Sequence, residues 1–306
     1  MGRLLSYSGI STKIRAMQSK LISESEIQEM LQFTSVSHAA AWLKRTPEYA
    51  KAWADLDENS LHRGQIEKLL KASIFKDFSK IYQFANPEQR KFLDLYSRRY
   101  EIRVLKEIMT NLFDHKSTDA VDVSPYCDFF RRHSKLDLDR LTACTTMDEF
   151  INTLKGNEFY VPLSRIQNHD TALLFDYGMA LDLYYFSMIW NVRKKLFSGK
   201  DLEQITTAYG EKFDMLNLQF ISRSKRYFSM APADIYALLI PMNYKLKKEE
   251  ITALVEASTR EEAQQIFRKT YYGKKYDHLS AHNLEEFYNY MLRTTLEKAS
   301  RKDPYS

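Results

Sequence analysis

The sequence predicts an all-α protein made of three similar helical units, and three observations favour this class. First, the 306 residues include only 8 Gly and 7 Pro, which leaves few sites for the tight turns that connect the strands of a sheet. Second, 20 Tyr and 18 Phe supply bulky side chains for packing between helices. Third, a pattern of two short helices separated by a polar break occurs three times, and a repeat of this kind decides the architecture.

A hydroxyl residue before each second helix defines the register of the repeat. The three copies are residues 23–49, 134–160 and 247–272. Ser35, Thr146 and Thr259 occupy the same place in them, and a hydroxyl there can accept a hydrogen bond from a free N–H group of the first helical turn. Glu149 and Glu262 follow three residues later in copies two and three, so we expect a complete capping box in those copies.

Apolar residues keep the same register in the first helix of each copy. They stand three positions apart, as Ile27 and Met30, Leu138 and Leu141, and Ile251 and Leu254. Residues three apart share a helix face, so each first helix is expected to present an apolar side. Because the caps lie 111 and then 113 residues apart, the sequence predicts units 1–109, 110–220 and 221–306, the last of them shortened.

Long helices are predicted between the copies. They are expected at residues 65–84, 87–113, 170–196, 202–227 and 284–301. Asn86 and Pro87 open the second of these, since proline fits the first helical position. The polar segments 114–124 and 197–200 are expected to be loops.

The charge distribution and the cysteines exclude several classes of protein. The net charge of +5 is spread along the chain, unlike the basic stripe of nucleic-acid binders, so no nucleic acid is expected as a partner. Cys127 and Cys144 are too few for a disulfide framework, and free thiols in a cytosolic protein are expected.

Neither a secretory signal nor a membrane span is expected from the sequence. The N-terminal segment MGRLLSYSGIST has no long apolar run followed by a small-residue cleavage site. Residues 171–192 could cross a membrane, but Asp176 and Asp182, on different helix faces, favour a core helix.

Candidate catalytic and metal-binding residues are few, and each has a structural alternative that we prefer. No Gly-rich phosphate loop occurs, and no cofactor or metal is expected. His278 and His282 are spaced as metal ligands could be, but the glutamate that a zinc protease needs beside the first is absent. Cys144, with His133 eleven residues before it, is interpreted as a small buried residue. The acids Asp137 and Asp139 are interpreted as capping residues.

Three basic clusters lie near predicted helix ends. They are Arg131-Arg132-His133, Arg193-Lys194-Lys195 and Arg223-Lys225-Arg226. As a patch that binds a partner protein we select Arg223, Lys225 and Arg226, because the segment SRSKRYF combines them with aromatic residues. The alternative is a solvated helix face without a partner.

Two segments carry a resemblance to a known family. Tyr7, Arg15 and the pair Leu21-Ile22 have the spacing with which the C subunits of the archaeal and bacterial A/V-type ATP synthases begin, a family to which the d subunit of eukaryotic V-type ATPases is homologous. The stretch around Leu239-Ile240-Pro241 is similar to the family's Leu-Ile-Pro-Gly-Gly region, although Met242-Asn243 replace the glycines. The resemblance extends over essentially the whole chain.

The resemblance implies a fold, a role and a location. It implies three helical units around a pseudo-threefold axis that form a funnel. It also implies a non-catalytic adaptor that couples the central stalk to the membrane rotor ring of a V/A-type rotary ATPase, on the cytoplasmic face and peripheral to the membrane. Whether protons or sodium ions are moved, and whether ATP is made or consumed, stays open. A helical scaffold that binds partner proteins in a groove, and an enzyme with a site assembled from distant residues, are the alternatives.

Overall fold

A computed structural model describes residues 2–54, 56–115, 124–167, 172–275 and 284–302. Every regular element in these ranges is an α-helix, which confirms the all-α prediction. The helices are α1 Gly2–Gln18, α2 Glu24–Met30, α3 Val36–Arg45, α4 Ala50–Trp53, α5 Arg63–Phe84, α6 Pro87–Phe113, α7 Ser124–His133, α8 Leu138–Thr142, α9 Met147–Thr153, α10 Tyr160–Gln167, α11 Leu174–Leu196, α12 Gly199–Tyr227, α13 Pro232–Leu238, α14 Lys248–Glu256, α15 Arg260–Lys269, α16 Tyr271–Lys275 and α17 Leu284–Lys302.

The second helix of each copy begins at the predicted cap. The hydroxyl oxygens of Ser35, Thr146 and Thr259 accept hydrogen bonds from the N–H three residues on, at 3.1, 3.2 and 3.1 Å. Each cap residue has an extended backbone, and α3, α9 and α15 follow directly. The predicted register of the caps is therefore confirmed in all three copies.

The glutamates of the predicted capping boxes bind one residue earlier than expected. The Glu149 carboxylate accepts from the N–H of Thr145 at 2.9 Å, and that of Glu262 from the N–H of Ser258 at 2.7 Å. A true capping box would use the N–H of the cap residue itself. The box prediction was wrong in this detail, because the extended chain before each cap brings the preceding N–H within reach of the carboxylate.

The long helices lie close to the predicted bounds. Helix α6 begins at Pro87 and ends at Phe113 as expected, with the Asn86 side chain accepting from the N–H of Gln89 at 2.9 Å. Helix α12 begins at Gly199, so the expected loop 197–200 is shorter than predicted. Most of the predicted loop 114–124 lies outside the described residues, and Ser124 already belongs to α7.

Contacts along the chain define two compact units, one up to Val161 and one from Pro162. In the first unit, α5 packs against α1 and α7. Its core contains a cluster of Ala40, Leu43, Trp53 and Ile66, and an aromatic group formed by Phe75, Phe78, Phe129 and Phe130.

In the second unit, α12 packs against α11 and α17, and α13 packs against α14. The main apolar cluster includes Ile235, Ile251, Val255, Tyr272 and Phe287. The three-unit boundaries at 109 and 220 concern the sequence repeat and stay a prediction. Among the described residues, no helix is both long and apolar enough to span a membrane.

Candidate docking surface

The three selected cations, Arg223, Lys225 and Arg226, all lie near the end of α12, but their surroundings differ. Arg223 and Arg226 are exposed, whereas Lys225 is half-buried. The Lys225 ammonium donates to the carbonyl oxygen of Ala257 at 2.5 Å. Ala257 is the C-cap residue that directly follows α14, and a cation at a helix C-terminus interacts favourably with the helix dipole. Lys225 therefore holds α14 against α12, and the two arginines face solvent.

Two aromatic side chains extend the exposed surface beyond the arginines. Tyr227 and Phe228 are 64% and 71% exposed. The Arg226 guanidinium lies 5.1 Å from the centre of the Tyr227 ring. A turn follows in which Ser229 has φ of 47° and the N–H of Met230 donates to the carbonyl of Ser224 at 3.2 Å. We call the exposed residues Arg223, Arg226, Tyr227 and Phe228 the α12 tip. Exposed aromatics combined with arginine are typical of protein interfaces.

The segment between α13 and α14 is fixed to α12 by two buried polar side chains. Asn217 accepts from the N–H of Ile240 at 2.8 Å and donates to its carbonyl at 3.0 Å. The Asp214 carboxylate accepts from the N–H groups of Tyr244, Lys245 and Leu246 at 3.0, 2.6 and 2.9 Å. We call residues 240–246 the clamped loop. It includes Ile240-Pro241 and Met242-Asn243, which belong to one of the two segments that carry the family resemblance.

The hydroxyl of Tyr272 completes the surroundings of Asp214, donating to its carboxylate at 2.7 Å. Both residues are fully buried. Burial raises the pKa of the Asp214 carboxyl, although its four donors act in the opposite direction. Burial, and then the neighbouring Asp214, raise the pKa of the Tyr272 hydroxyl. Neither group faces solvent, so their interaction supports the structure of the loop.

Three further contacts of α12 position its neighbours. Gly210 lies so close to the Tyr244 ring that a Cβ would overlap the ring. The Tyr244 hydroxyl lies 3.2 Å from that of Thr207. Glu211, 3% exposed, accepts from the Thr295 hydroxyl of α17 at 2.5 Å. One side of α12 is thus a line of buried polar groups that hold the loop and α17.

Sequence reasoning missed these polar groups. Asp214 and Asn217 bind main-chain atoms that are 23 to 32 residues further along, and such partners leave no side-chain pattern. The available signal was an acid and an amide three residues apart among Phe213, Met215 and Leu218, because polar residues on a buried helix face need partners.

The other basic clusters are mainly structural or solvated. Arg193 is buried, donates from Nε to the Thr206 hydroxyl at 3.1 Å, and lies 3.4 Å from the centre of the Trp190 ring. Lys194 and Lys195 are exposed. Of the first cluster, Arg131 and Arg132 are exposed, while the His133 ring packs against Tyr82 at 4.1 Å.

Among the candidate catalytic residues, Cys144 lies in the core and Asp137 caps a helix. Cys144 is buried, its sulfur lies 3.3 Å from the Arg140 carbonyl, and burial raises the pKa of its thiol, as befits a core residue. Asp137 caps α8 by accepting from the N–H of Arg140 at 3.1 Å. His278 and His282 lie outside the described residues. Within the part of the chain that the structure describes, no group of three or more His, Cys, Asp or Glu side chains could hold a metal ion.

The structure defines an all-α protein in which arginine and aromatic side chains are exposed together at the end of α12. The chain belongs to the family of ATP synthase (C/AC39) subunits, whose model matches residues 10–306. This confirms the resemblance found in the sequence.

Curated relatives include the C subunits of three A-type ATP synthases. The one from Methanosarcina mazei is 23% identical over 255 residues, which cover 81% of this chain and 67% of the relative. That from Methanosphaera stadtmanae is 20% identical over 284 residues, 90% of this chain and 69% of the relative. That from Methanocaldococcus jannaschii is 22% identical over 225 residues, 72% of this chain. The chain spans 55% of the length of the last of these.

Proposed function

We propose that the chain is the non-catalytic central-rotor adaptor of a V/A-type rotary ATPase. In this role it couples the central stalk to the membrane rotor ring, in ATP-driven ion transport or in ATP synthesis. The observation that carries the proposal is the family match over residues 10–306, supported by relatives that are named as C subunits of A-type ATP synthases. The protein would act at the cytoplasmic face, peripheral to the membrane, and would bind the stalk and the ring.

The proposal includes an arrangement of three units around a pseudo-threefold axis, forming a funnel. Three helix pairs with the same cap geometry support it. So does the packing of α1 on α5 and of α12 on α17, because each pair joins the long helices before and after one copy. Repeated units would suit a ring, whose identical subunits present a repeated surface.

An adaptor of this kind must transmit torque without deforming. The second unit contains contacts that would resist deformation. Five hydrogen bonds join the side chains of Asp214 and Asn217 on α12 to main-chain atoms of the clamped loop. These bonds are short and partly buried, and protein interiors packed in this way have low compressibility.

Coupling can be tested with the complex reconstituted in vesicles, with and without this chain. We expect the head to hydrolyse ATP in both preparations, and proton or sodium uptake, each measured separately, to require the chain. Adding the purified chain back should restore uptake. Ion uptake per ATP that is unchanged without the chain would contradict the adaptor role.

The α12 tip is proposed as one contact with an acidic surface of a neighbouring protein in the complex. The double variant Arg223→Glu with Arg226→Glu is expected to weaken retention of the chain in the complex by about tenfold or more, because like charges then oppose each other. The matched control is Lys194→Glu with Lys195→Glu, which reverses two exposed charges at the end of α11. Equal loss in both double variants would exclude a specific role for the tip.

A further inference from the structure

Helix α2 and the residue that follows it, Leu31, expose the positions that are buried in the corresponding helix of copy three. In the register set by Ser35 and Thr259, Ile27 corresponds to Ile251 and Leu31 corresponds to Val255. Ile27 and Leu31 are 48% and 68% exposed, whereas Ile251 and Val255 are 7% and 0% exposed. The same place in the repeat is thus a core position in one copy and an open apolar surface in the other.

The two helices themselves are built alike. At the start of α2 the N–H of Ser23 donates to the Glu26 carboxylate at 2.7 Å. At the start of α14 the N–H of Lys247 donates to the Glu250 carboxylate at 2.8 Å. Met30 packs inward against the cluster that contains Leu43, so the opposite side of α2 faces its own unit. The difference in exposure therefore comes from what covers each helix.

A short helix is one of the elements that cover the copy-three position. Helices α12 and α13 both pack against α14, and the fully buried Ile235 of α13 belongs to the same apolar cluster as Ile251 and Val255. Copy one has no such helix at that point of the chain, because residues 19–23 between α1 and α2 form a turn and an extended cap. The repeat itself thus shows which kind of element fits this surface, namely a short helix with an apolar side chain.

Charge distinguishes the occupant further. Residues 21–43 contain Glu24, Glu26 and Glu29 but no Lys or Arg, in a chain whose net charge is +5. Glu24 stands three residues before Ile27 and seven before Leu31, so it shares their helix face. At the position of Glu24, copy three has Lys248. An acidic flank beside an apolar pair is complementary to a helix that carries cations beside its apolar stripe.

We propose that α2 is a docking surface for a short amphipathic helix of another protein. An apolar side chain of that helix packs between Ile27 and Leu31, one turn apart, and a Lys or Arg beside it pairs with Glu24. The recognition is of the helix-in-groove type, with α13 on α14 as its internal template. This interaction goes beyond the adaptor role and does not depend on which surfaces bind the stalk or the ring.

The test is site-specific photo-crosslinking of the full chain in the cells that produce it. Ile27 and Leu31 are replaced, one at a time, by p-benzoylphenylalanine. Ile74 of α5, 49% exposed, is replaced in the same way as the matched control. The expected result is an adduct from positions 27 and 31, but not from 74. Mass spectrometry should map it to a segment of another protein with apolar residues three or four apart and Lys or Arg beside them.

The proposal is overturned by the absence of an adduct above the Ile74 control. An adduct with a second copy of this chain, with an acidic segment or with lipid overturns it as well. If the segment is found, Ile27→Glu and Leu31→Glu are expected to lower retention of that partner about tenfold or more, while Ile74→Glu leaves it unchanged. Glu24→Lys keeps the apolar pair and should also weaken retention; retention at the wild-type level in this variant would refute the charge pairing.

Discussion

Replacement of Asp214 by alanine tests whether the clamped loop is held by one buried carboxylate. The change removes the acceptor for the N–H groups of Tyr244, Lys245 and Leu246 and for the Tyr272 hydroxyl. A buried donor left without a partner costs about 1–3 kcal/mol, since water cannot replace the lost bond.

The burial of each donor sets the magnitude. Leu246 and Tyr272 are fully buried, so their donors stay unsatisfied and cost about 2–6 kcal/mol together. Tyr244 and Lys245 have access to solvent, and water can satisfy their N–H groups. Removing a desolvated charge offsets part of the loss. We therefore expect Asp214→Ala to lower the free energy of unfolding of the second unit by about 3 kcal/mol.

Urea denaturation gives the stability, and hydrogen exchange of the amides at 244–246 reports on the loop directly. The exposed Glu203→Ala on the same helix is the matched control and should change stability by less than about 0.5 kcal/mol. Tyr272→Phe alone should cost about 1 kcal/mol, and the double variant should cost less than the sum of the two. Additive losses, or a loss below about 1 kcal/mol for Asp214→Ala, would refute the reasoning.

Three further predictions concern other contacts. Gly210→Ala should lower the free energy of unfolding by about 1–3 kcal/mol in a denaturant titration, because the added methyl overlaps the Tyr244 ring. Lys225→Met should lower it by about 1 kcal/mol and speed hydrogen exchange at the end of α14, since Ala257 loses its cationic donor. Burial lowers the pKa of His133 from its usual 6.5, so the unfolded chain takes up the proton first. Melting temperatures should therefore fall as pH drops through about 6.5 and below, and His133→Phe should flatten this dependence.

Controls separate these effects from general sensitivity to substitution. Gly9→Ala, in α1 with no heavy atom near the new methyl, should stabilise by about 0.5–1 kcal/mol through helix propensity. A gain at Gly210 of the same size would contradict the overlap. Lys194→Met, at an exposed position, should leave the melting temperature unchanged. For His133, an unchanged pH dependence in the phenylalanine variant would contradict the assignment of the slope to this residue.

Local features of the fold could be predicted from sequence because their partners are close in the chain. The caps at Ser35, Thr146 and Thr259 bind N–H groups three residues away, so type and spacing suffice. The bounds of α6 followed from Asn86-Pro87 at one end and from the polar segment 114–124 at the other. The carboxylates of Glu149 and Glu262 were misplaced because the choice between two adjacent N–H groups depends on backbone geometry.

The candidate docking surface shows where sequence reasoning stops. The sequence offered no reason to distinguish Arg223, Lys225 and Arg226. The structure distinguishes them, because Lys225 donates to the carbonyl oxygen of Ala257, 32 residues further along the chain. Likewise, the exposure of Ile27 could not be read from a repeat in which its counterparts are buried. Pattern identifies the face of a helix, whereas the neighbouring elements decide whether that face is covered.

The hydrogen bonds of Asp214 and Asn217 affect which positions of the clamped loop tolerate substitution. Both side chains hold main-chain atoms, so the loop's path is specified without reference to its side chains at Met242 and Asn243. This explains how the chain can replace the two glycines of the family's Leu-Ile-Pro-Gly-Gly region and retain an anchored loop. Positions 242 and 243 are therefore suitable for randomisation: a library built there would vary the displayed residues on a scaffold whose attachment points stay constant.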